Sequence, residues 1–134
     1  MVAFGLEITP RPDLPAIVAR WQREITAQEL KDGYFAVLDA ADEHHCWRWL
    51  LDLRRREELT SPELDAWLET DFFVKLPHRY TEPVRLAFLV SPLRALQARA
   101  ASSVATISSN QRPNQGYYTA LFTDEAAAYQ WLAQ

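Results

Sequence analysis

A tryptophan- and leucine-rich run that leads into charged residues is the feature that most constrains the fold of this chain. The run spans 47–53, and three arginines at 54–56 follow it. The string Thr-Ser-Pro-Glu at 60–63 comes next and is typical of the first turn of a helix. A short apolar run of this kind predicts a buried strand, and parallel α/β folds concentrate functional groups where such strands end. We therefore expect residues 54–63 to form the functional end of an α/β fold.

Strand and helix patterns alternate along the rest of the chain. Period-two alternation or short apolar runs predict five strands, at about 2–8, 16–21, 47–53, 84–90 and 117–122. Apolar residues at helical spacing behind capping residues predict four helices, at about 26–41, 62–76, 92–107 and 123–132. The segment 108–116 is polar and contains Pro113 and Gly116, so we expect a loop there.

The order of these elements predicts the topology. Because prolines and polar residues separate the first two strands, the two pair most simply as an antiparallel hairpin, and Pro10 lies beyond the end of the first strand. Strands that alternate with helices pair in parallel through right-handed crossovers. We therefore expect an α/β fold, with an N-terminal β-hairpin, β-α repeats and helices that flank a mixed, mostly parallel sheet. The length of 134 residues suits a single domain over 1–134.

Short tags at the ends of these elements resemble a known family. The central strand ends in Leu-Asp-Leu at 51–53, before a helix begun by Ser or Thr. The last helix begins in Phe-Thr-Asp-Glu-Ala at 122–126 and ends in Trp-Leu at 131–132. With the N-terminal hairpin, these tags are similar to the SpoIIAA-like domains, which include the STAS domains of anti-sigma factor antagonists and SEC14-like small bacterial proteins. The resemblance covers nearly the whole chain and implies a SpoIIAA-like fold and a non-enzymatic regulatory or protein-interaction module.

The resemblance also implies a position for regulation. The antagonists carry a phosphorylatable serine at the start of the helix after the central strand, in an Asp-Ser-x-Gly-Leu string. The corresponding stretch here, 59–64, has no glycine, and its hydroxyl groups are those of Thr60 and Ser61. Each of these is a candidate phosphoacceptor, because a helix N-terminus and nearby arginines stabilise a phosphate, but helix capping is the favoured role.

The candidate interaction surface is the loop between the central strand and this helix. Its charged residues are Arg54, Arg55, Arg56 and Glu63. The identity of the cap stays open at this point. Pro62 directly after Ser61 favours the serine, whereas Glu63 three residues after Thr60 favours the threonine.

Two other functions are open alternatives. A carrier of a small apolar ligand or lipid, SEC14-like in character, needs an apolar pocket, and the helix after Pro92 would contribute to it. Its other lining residues would be Leu64, Trp67, Leu68 and Phe72. An enzyme would use Asp52 or a histidine as a base, and Asp52 would have to meet a second polar catalytic group in a cleft.

His44, His45 and Cys46 are the residues best suited to bind a transition metal. Adjacent residues of an extended chain point to opposite sides, so at most His44 and Cys46 share a face. A surface turn that enters the central strand is therefore favoured over a metal site or a Cys-His nucleophile. The three glycines of the chain cannot build a phosphate-binding loop or a dinucleotide fingerprint, so we expect neither a metal nor a cofactor.

Charge and cysteine content limit the partners and the cellular location that we expect for the chain. Fourteen basic and eighteen acidic residues give a net charge of −4, which argues against a dedicated nucleic-acid binder. The apolar stretches are shorter than the roughly 18 residues of a membrane span. The single cysteine allows no intramolecular disulfide, and the first residues resemble no secretion leader. A cytoplasmic location is the expectation.

A second copy of the chain is one expected partner, besides another protein. Trp47 and Trp49 lie two residues apart on the central strand and so face the same way. If successive crossovers lie on one side of the sheet, the other face must be covered by the hairpin, by a ligand or by another subunit. A homodimer is the prediction that follows.

Overall fold

One sheet of seven strands organises the part of the chain that the computed structural model describes, residues 2–3, 5–22, 26–55, 62–92, 111–112 and 116–133. The strands are β1 (Val2–Ala3), β2 (Leu6–Arg11), β3 (Ala16–Trp21), β4 (Arg48–Asp52), β5 (Val84–Leu89), β6 (Gln111–Arg112) and β7 (Tyr117–Phe122). The α-helices of the same ranges are α1 (Ala27–His44), α2 (Pro62–Trp67) and α3 (Glu125–Leu132). A π-helical turn (Leu68–Phe72) and a 3-10 turn (Phe73–Lys75) continue α2.

The sheet is mixed and mostly parallel. Its order is β1-β2-β3-β4-β5-β7-β6. The neighbours from β3 through β4 and β5 to β7 are parallel, whereas β1, β2 and β6 pair antiparallel. The prediction of an α/β fold with an N-terminal hairpin and a mixed sheet flanked by helices is confirmed. The narrower SpoIIAA-like assignment stays a prediction.

Helices cover both faces of the sheet. Trp49 and Leu51 of β4 point to the face where α1 and the helical segment 62–75 pack, and Leu50 points to the opposite face, where α3 packs. A strand buried on both sides needs apolar residues at successive positions, which explains the apolar run in the sequence. The homodimer prediction assumed that one face of the sheet lacks a helix. That assumption is wrong, because α3 covers that face. The homodimer itself stays an untested prediction.

The first strand of the sequence prediction is two strands. A turn at Gly5, whose φ is 70°, reverses the chain between β1 and β2, so the prediction of one continuous strand over 2–8 is wrong. At its other end, β2 continues through Pro10, which pairs with Ile17. β1 pairs with β2 only at the far end of β2, so this position lies at the edge of the sheet, where a missing N–H costs no hydrogen bond.

α1 is one turn longer than predicted. It begins with a capping box, in which Thr26 Oγ1 accepts from the Glu29 N–H at 3.1 Å and Glu29 Oε1 accepts from the Thr26 N–H at 3.0 Å. It ends at His44, and His45 follows in the left-handed conformation with φ 50°. Of the predicted surface turn, His44 thus belongs to the helix, and His45 forms the turn before Cys46 and β4.

The predicted helix over 62–76 is one helical segment, which changes from an α-helix to a π-helical turn and then to a 3-10 turn. Its apolar residues pack in the core beside α1, where Phe72 and Trp67 lie among the rings of Tyr34 and Phe35. The side chains expected to line a carrier pocket, including Leu64 and Leu68, thus pack against the rest of the core.

The remaining differences lie near the second edge of the sheet. β6 lies inside the segment 108–116, which the sequence predicts to be a loop, and it pairs with β7. The predicted helix 92–107 falls almost wholly on residues 93–110, outside the described ranges. No helix in the described part of the chain is long and apolar enough to cross a membrane.

Candidate functional site at the carboxyl edge of the sheet

The parallel register brings two charged residues together where their strands end. Arg20 of β3 and Asp52 of β4 are direct neighbours across the sheet, and Leu89 of β5 follows in the same row. Side chains alternate between faces, so Arg20 lies on the face of Val18 and Asp52 on the face of Leu50, which is the α3 face. Both side chains therefore reach the start of α3.

α3 begins beside this pair because of its capping residue. The Asp124 side chain accepts a hydrogen bond from the Ala127 N–H at 3.0 Å, which fixes the first turn. Glu125 is the first helical residue, and its carboxylate accepts two hydrogen bonds from Arg20, at 2.8 Å to Oε1 and 3.2 Å to Oε2. Arg20 Nη1 also donates to Asp52 Oδ2 at 2.7 Å, so one guanidinium joins two carboxylates.

Arg54 completes the arrangement from the loop after β4. Its Nε donates to Asp52 Oδ1 at 2.9 Å and its Nη2 to Asp52 Oδ2 at 2.8 Å, a bidentate pair. Its Nη2 lies 3.3 Å from Glu125 Oε1, and its backbone N–H also donates to Asp52. Arg20, Asp52, Arg54 and Glu125 thus form a ring of alternating charge, named here the carboxyl-edge cluster.

The pKa values of the two carboxyl groups are lowered. Burial by itself raises the pKa of Asp52, which is only 7% exposed. Hydrogen bonds from the Arg54 side chain, from its backbone N–H and from Arg20 outweigh burial, so the pKa of Asp52 lies below its usual range. The hydrogen bonds from Arg20 lower the pKa of Glu125 in the same way, and burial opposes them. Both carboxylates are ionised at neutral pH.

A small cavity lies against the cluster. It has a volume of about 310 Å³, and Arg20, Asp52 and Arg54 line it together with Gln22 and Arg55. Arg55 is exposed, with Nη1 3.5 Å from the Gln22 carbonyl oxygen. Chemically, this edge can offer guanidinium donors on a rigid base to an anionic or hydrogen-bond-accepting group.

The structure brings together some of the predicted site residues. Arg54 and Arg55 lie at the carboxyl edge as expected, and Asp52 meets other polar groups in a cleft, as the enzyme hypothesis requires. Glu63 is exposed at the start of α2. The candidate phosphoacceptors Thr60 and Ser61, with Arg56, lie outside the described residues.

Two residues of the cluster are missing from the sequence prediction. Arg20 is a lone charge near the end of an otherwise apolar strand, and the rule that functional groups lie at carboxyl ends of parallel strands could have identified it. No sequence pattern marks Glu125, because the residues that it contacts depend on where α3 packs on the sheet.

The residues considered as metal ligands lie at the opposite edge of the sheet. His44 ends α1, His45 follows it, and Cys46 precedes β4. Burial raises the pKa of the Cys46 thiol, so the thiolate that nucleophilic attack needs is disfavoured. In the ranges that the structure describes, no three His, Cys, Asp or Glu side chains are grouped to hold a metal ion.

Comparison with models of known protein families, with curated proteins and with solved structures found no match for this chain. The fold and the site define an α/β domain with an ion-paired cluster at the carboxyl edge of its sheet.

Proposed function

We propose that the protein is a non-enzymatic regulatory or protein-interaction module of SpoIIAA-like fold, and that its partner binds at the carboxyl edge of the sheet. The carboxyl-edge cluster is the observation that supports this proposal most. Its charges hold together the ends of β3 and β4 and the start of α3. Arg54 nevertheless remains 43% exposed, and Arg55 beside it is exposed. A rigid frame thus carries cationic side chains at the surface.

The ionisation of the cluster favours binding over acid–base catalysis. A general base works best when its pKa lies near the working pH, and enzymes raise carboxyl pKa values to reach that range. The pKa values of Asp52 and Glu125 are shifted in the other direction. Both carboxylates also already accept hydrogen bonds from arginines, so neither is poised to take a proton from a substrate.

The partner surface is expected to be acidic. Arg54 and Arg55 present planar guanidinium groups, whose donors match carboxylate or phosphate oxygens. Arginine is also enriched among the residues that dominate binding energy at protein interfaces. Phosphorylation of Thr60 or Ser61 would add about two negative charges a few residues along the chain from these arginines. It would therefore lower the affinity for an acidic partner.

The test is capture of partners by two matched charge-reversal variants. Arg55→Glu removes an exposed cation at the proposed surface. Lys75→Glu changes the net charge by the same amount, but it lies at the end of the 3-10 turn, before β5 begins. Wild-type protein and both variants are used to capture proteins from an extract of the native host, and the captured proteins are quantified and cross-linked.

The proposal expects a partner that wild type and Lys75→Glu recover equally and that Arg55→Glu loses at least about tenfold, the effect of about 1.4 kcal/mol. Cross-links to that partner should lie around the carboxyl edge. Partners that bind Arg55→Glu as well as wild type, or that cross-link elsewhere, would overturn the proposal.

A further inference from the structure

A second and larger cavity lies at the amino edge of the sheet, opposite the carboxyl-edge cluster. Its volume is about 600 Å³, within the range of roughly 300–1,000 Å³ that is usual for small-molecule sites. Most of its wall is apolar or rigid. The wall includes Pro10, Pro12, Pro15, Ala16, Cys46 and Trp47. The proposed protein-interaction function does not use this cavity.

Arg48 is one of two arginines at the wall of this cavity. Its guanidinium carbon lies 3.9 Å from the centre of the Trp47 ring, and its Nε donates to the Leu132 carbonyl oxygen at 2.7 Å. Both contacts fix the side chain, and neither neutralises its charge. Among the described residues, no carboxylate lies within ion-pair distance of Arg48.

The neighbouring arginine of the cavity is different. Arg11 also lines the wall, but its Nε lies 3.1 Å from Asp13 Oδ1 in an ion pair, and its guanidinium carbon lies 4.3 Å from the Tyr129 ring centre. His44 and His45 are exposed and add further nitrogen donors to the lining. The charge balance of the cavity is therefore positive, and the excess is centred on Arg48.

We propose that this cavity binds a small aromatic carboxylate. The carboxylate would accept hydrogen bonds from the Arg48 guanidinium, which is already oriented by Trp47 and by the end of α3, and which matches a carboxylate in shape. The ring would lie against Trp47 and the prolines, whose flat and rigid surfaces suit a planar apolar body. This inference goes beyond the proposed function, because it concerns the other edge of the sheet and another class of ligand.

The first experiment compares two probes on wild-type protein. Calorimetric titration with 2-naphthoate should show a dissociation constant of about 1 mM or tighter, the order expected for a ligand of this size. 2-Naphthamide, which has the same rings without the charge, should bind at least about tenfold more weakly. Because this comparison needs no variant, it decides the proposal even if a substitution prevents folding.

Two matched variants then locate the site. Arg48→Gln should bind the two probes equally. Arg85→Gln is the control, because Arg85 is the sheet neighbour of Arg48, contacts the Trp131 carbonyl oxygen at 3.4 Å and lies over the Tyr118 and Trp131 rings. Arg85 does not line the cavity, so its variant should keep the preference for 2-naphthoate.

Three results would overturn the proposal. They are equal binding of the two probes by wild type, an equal loss of preference in both variants, and Arg48-dependent binding of dodecanoate without binding of 2-naphthoate. The last result would mean that the cavity takes a fatty-acid chain and not a ring. None of these results depends on whether a protein binds at the carboxyl edge.

Discussion

Asp52 is the residue on which the carboxyl-edge cluster depends. It is the most buried member, and both arginines of the cluster donate to it. Arg20 and Glu125 also contact each other directly, so they retain one partner if Asp52 is changed. Arg54 would keep only the longer contact to Glu125. Arg54, one of the proposed interaction residues, is thus held mainly by Asp52.

Replacing this carboxylate should destabilise the fold. Asp52→Asn keeps the shape of the side chain but leaves two guanidinium groups with one carboxylate. We expect the free energy of unfolding to fall by about 1–2 kcal/mol, a modest loss because the arginines are partly solvated. Urea denaturation measures it. Asp13→Asn is the control, because it also removes one charge of an arginine pair but at an exposed position, and it should leave stability unchanged within error. Equal stability of the two variants would show that the cluster is only a surface feature.

At the level of elements, α1 packs tightly on β3 at Gly33. A Cβ added at Gly33 would lie 3.1 Å from the Trp21 indole and 3.2 Å from Leu6 Cδ2. Trp21 is almost fully buried, and within the described part of the chain its Nε1 has no hydrogen-bond acceptor. Glycine therefore allows α1 to pack directly on the tryptophan.

Gly33→Ala measures how rigid this contact is. Alanine gains about 1 kcal/mol of helix propensity, whereas overpacking a rigid core costs about 1–3 kcal/mol. Because Trp21 has little room to move, we expect a net loss of about 1 kcal/mol in thermal or urea denaturation. The same change in a Trp21→Phe background should be neutral or stabilising, since the smaller ring leaves space. If Gly33→Ala were more stable than wild type, the Trp21 side chain would be able to move aside at little cost, and the contact would not be rigid.

Much of the element pattern could be predicted from the sequence, because local signals control it. The capping box at Thr26, the apolar run of β4 and the Asp124 cap all act within a few residues. The turn at Gly5 and the continuation of β2 through Pro10 depend on which strand lies alongside, and local patterns do not encode that.

On the scale of the whole molecule, the two edges of one sheet differ in chemistry. The carboxyl edge carries an ion-paired cluster with the exposed Arg55 beside it, whereas the amino edge combines an apolar cavity with an arginine that lacks a carboxylate partner among the described residues. The sequence indicated the first edge through the charged loop after β4. It did not indicate the second, because prolines near Pro12 and the segment around Trp47 meet only after the hairpin and α1 have packed.

The ion pairs of the carboxyl edge link stability to pH. Asp52 and Glu125 have folded-state pKa values below their unfolded ones, so their ionised forms stabilise the fold. This contribution is complete above the unfolded-state pKa values, about 4, and is lost as the pH falls through the folded-state values. We therefore propose this edge as an ionised, ion-paired frame for binding and not as a pair of acid–base groups.

The most direct measurement is an NMR titration of the ¹³C side-chain carboxyl signals of Asp52 and Glu125. Both groups should titrate below their usual ranges and stay ionised throughout neutral pH. A pKa near neutrality for either group would contradict it, because that carboxyl group would then be poised as a general acid or base.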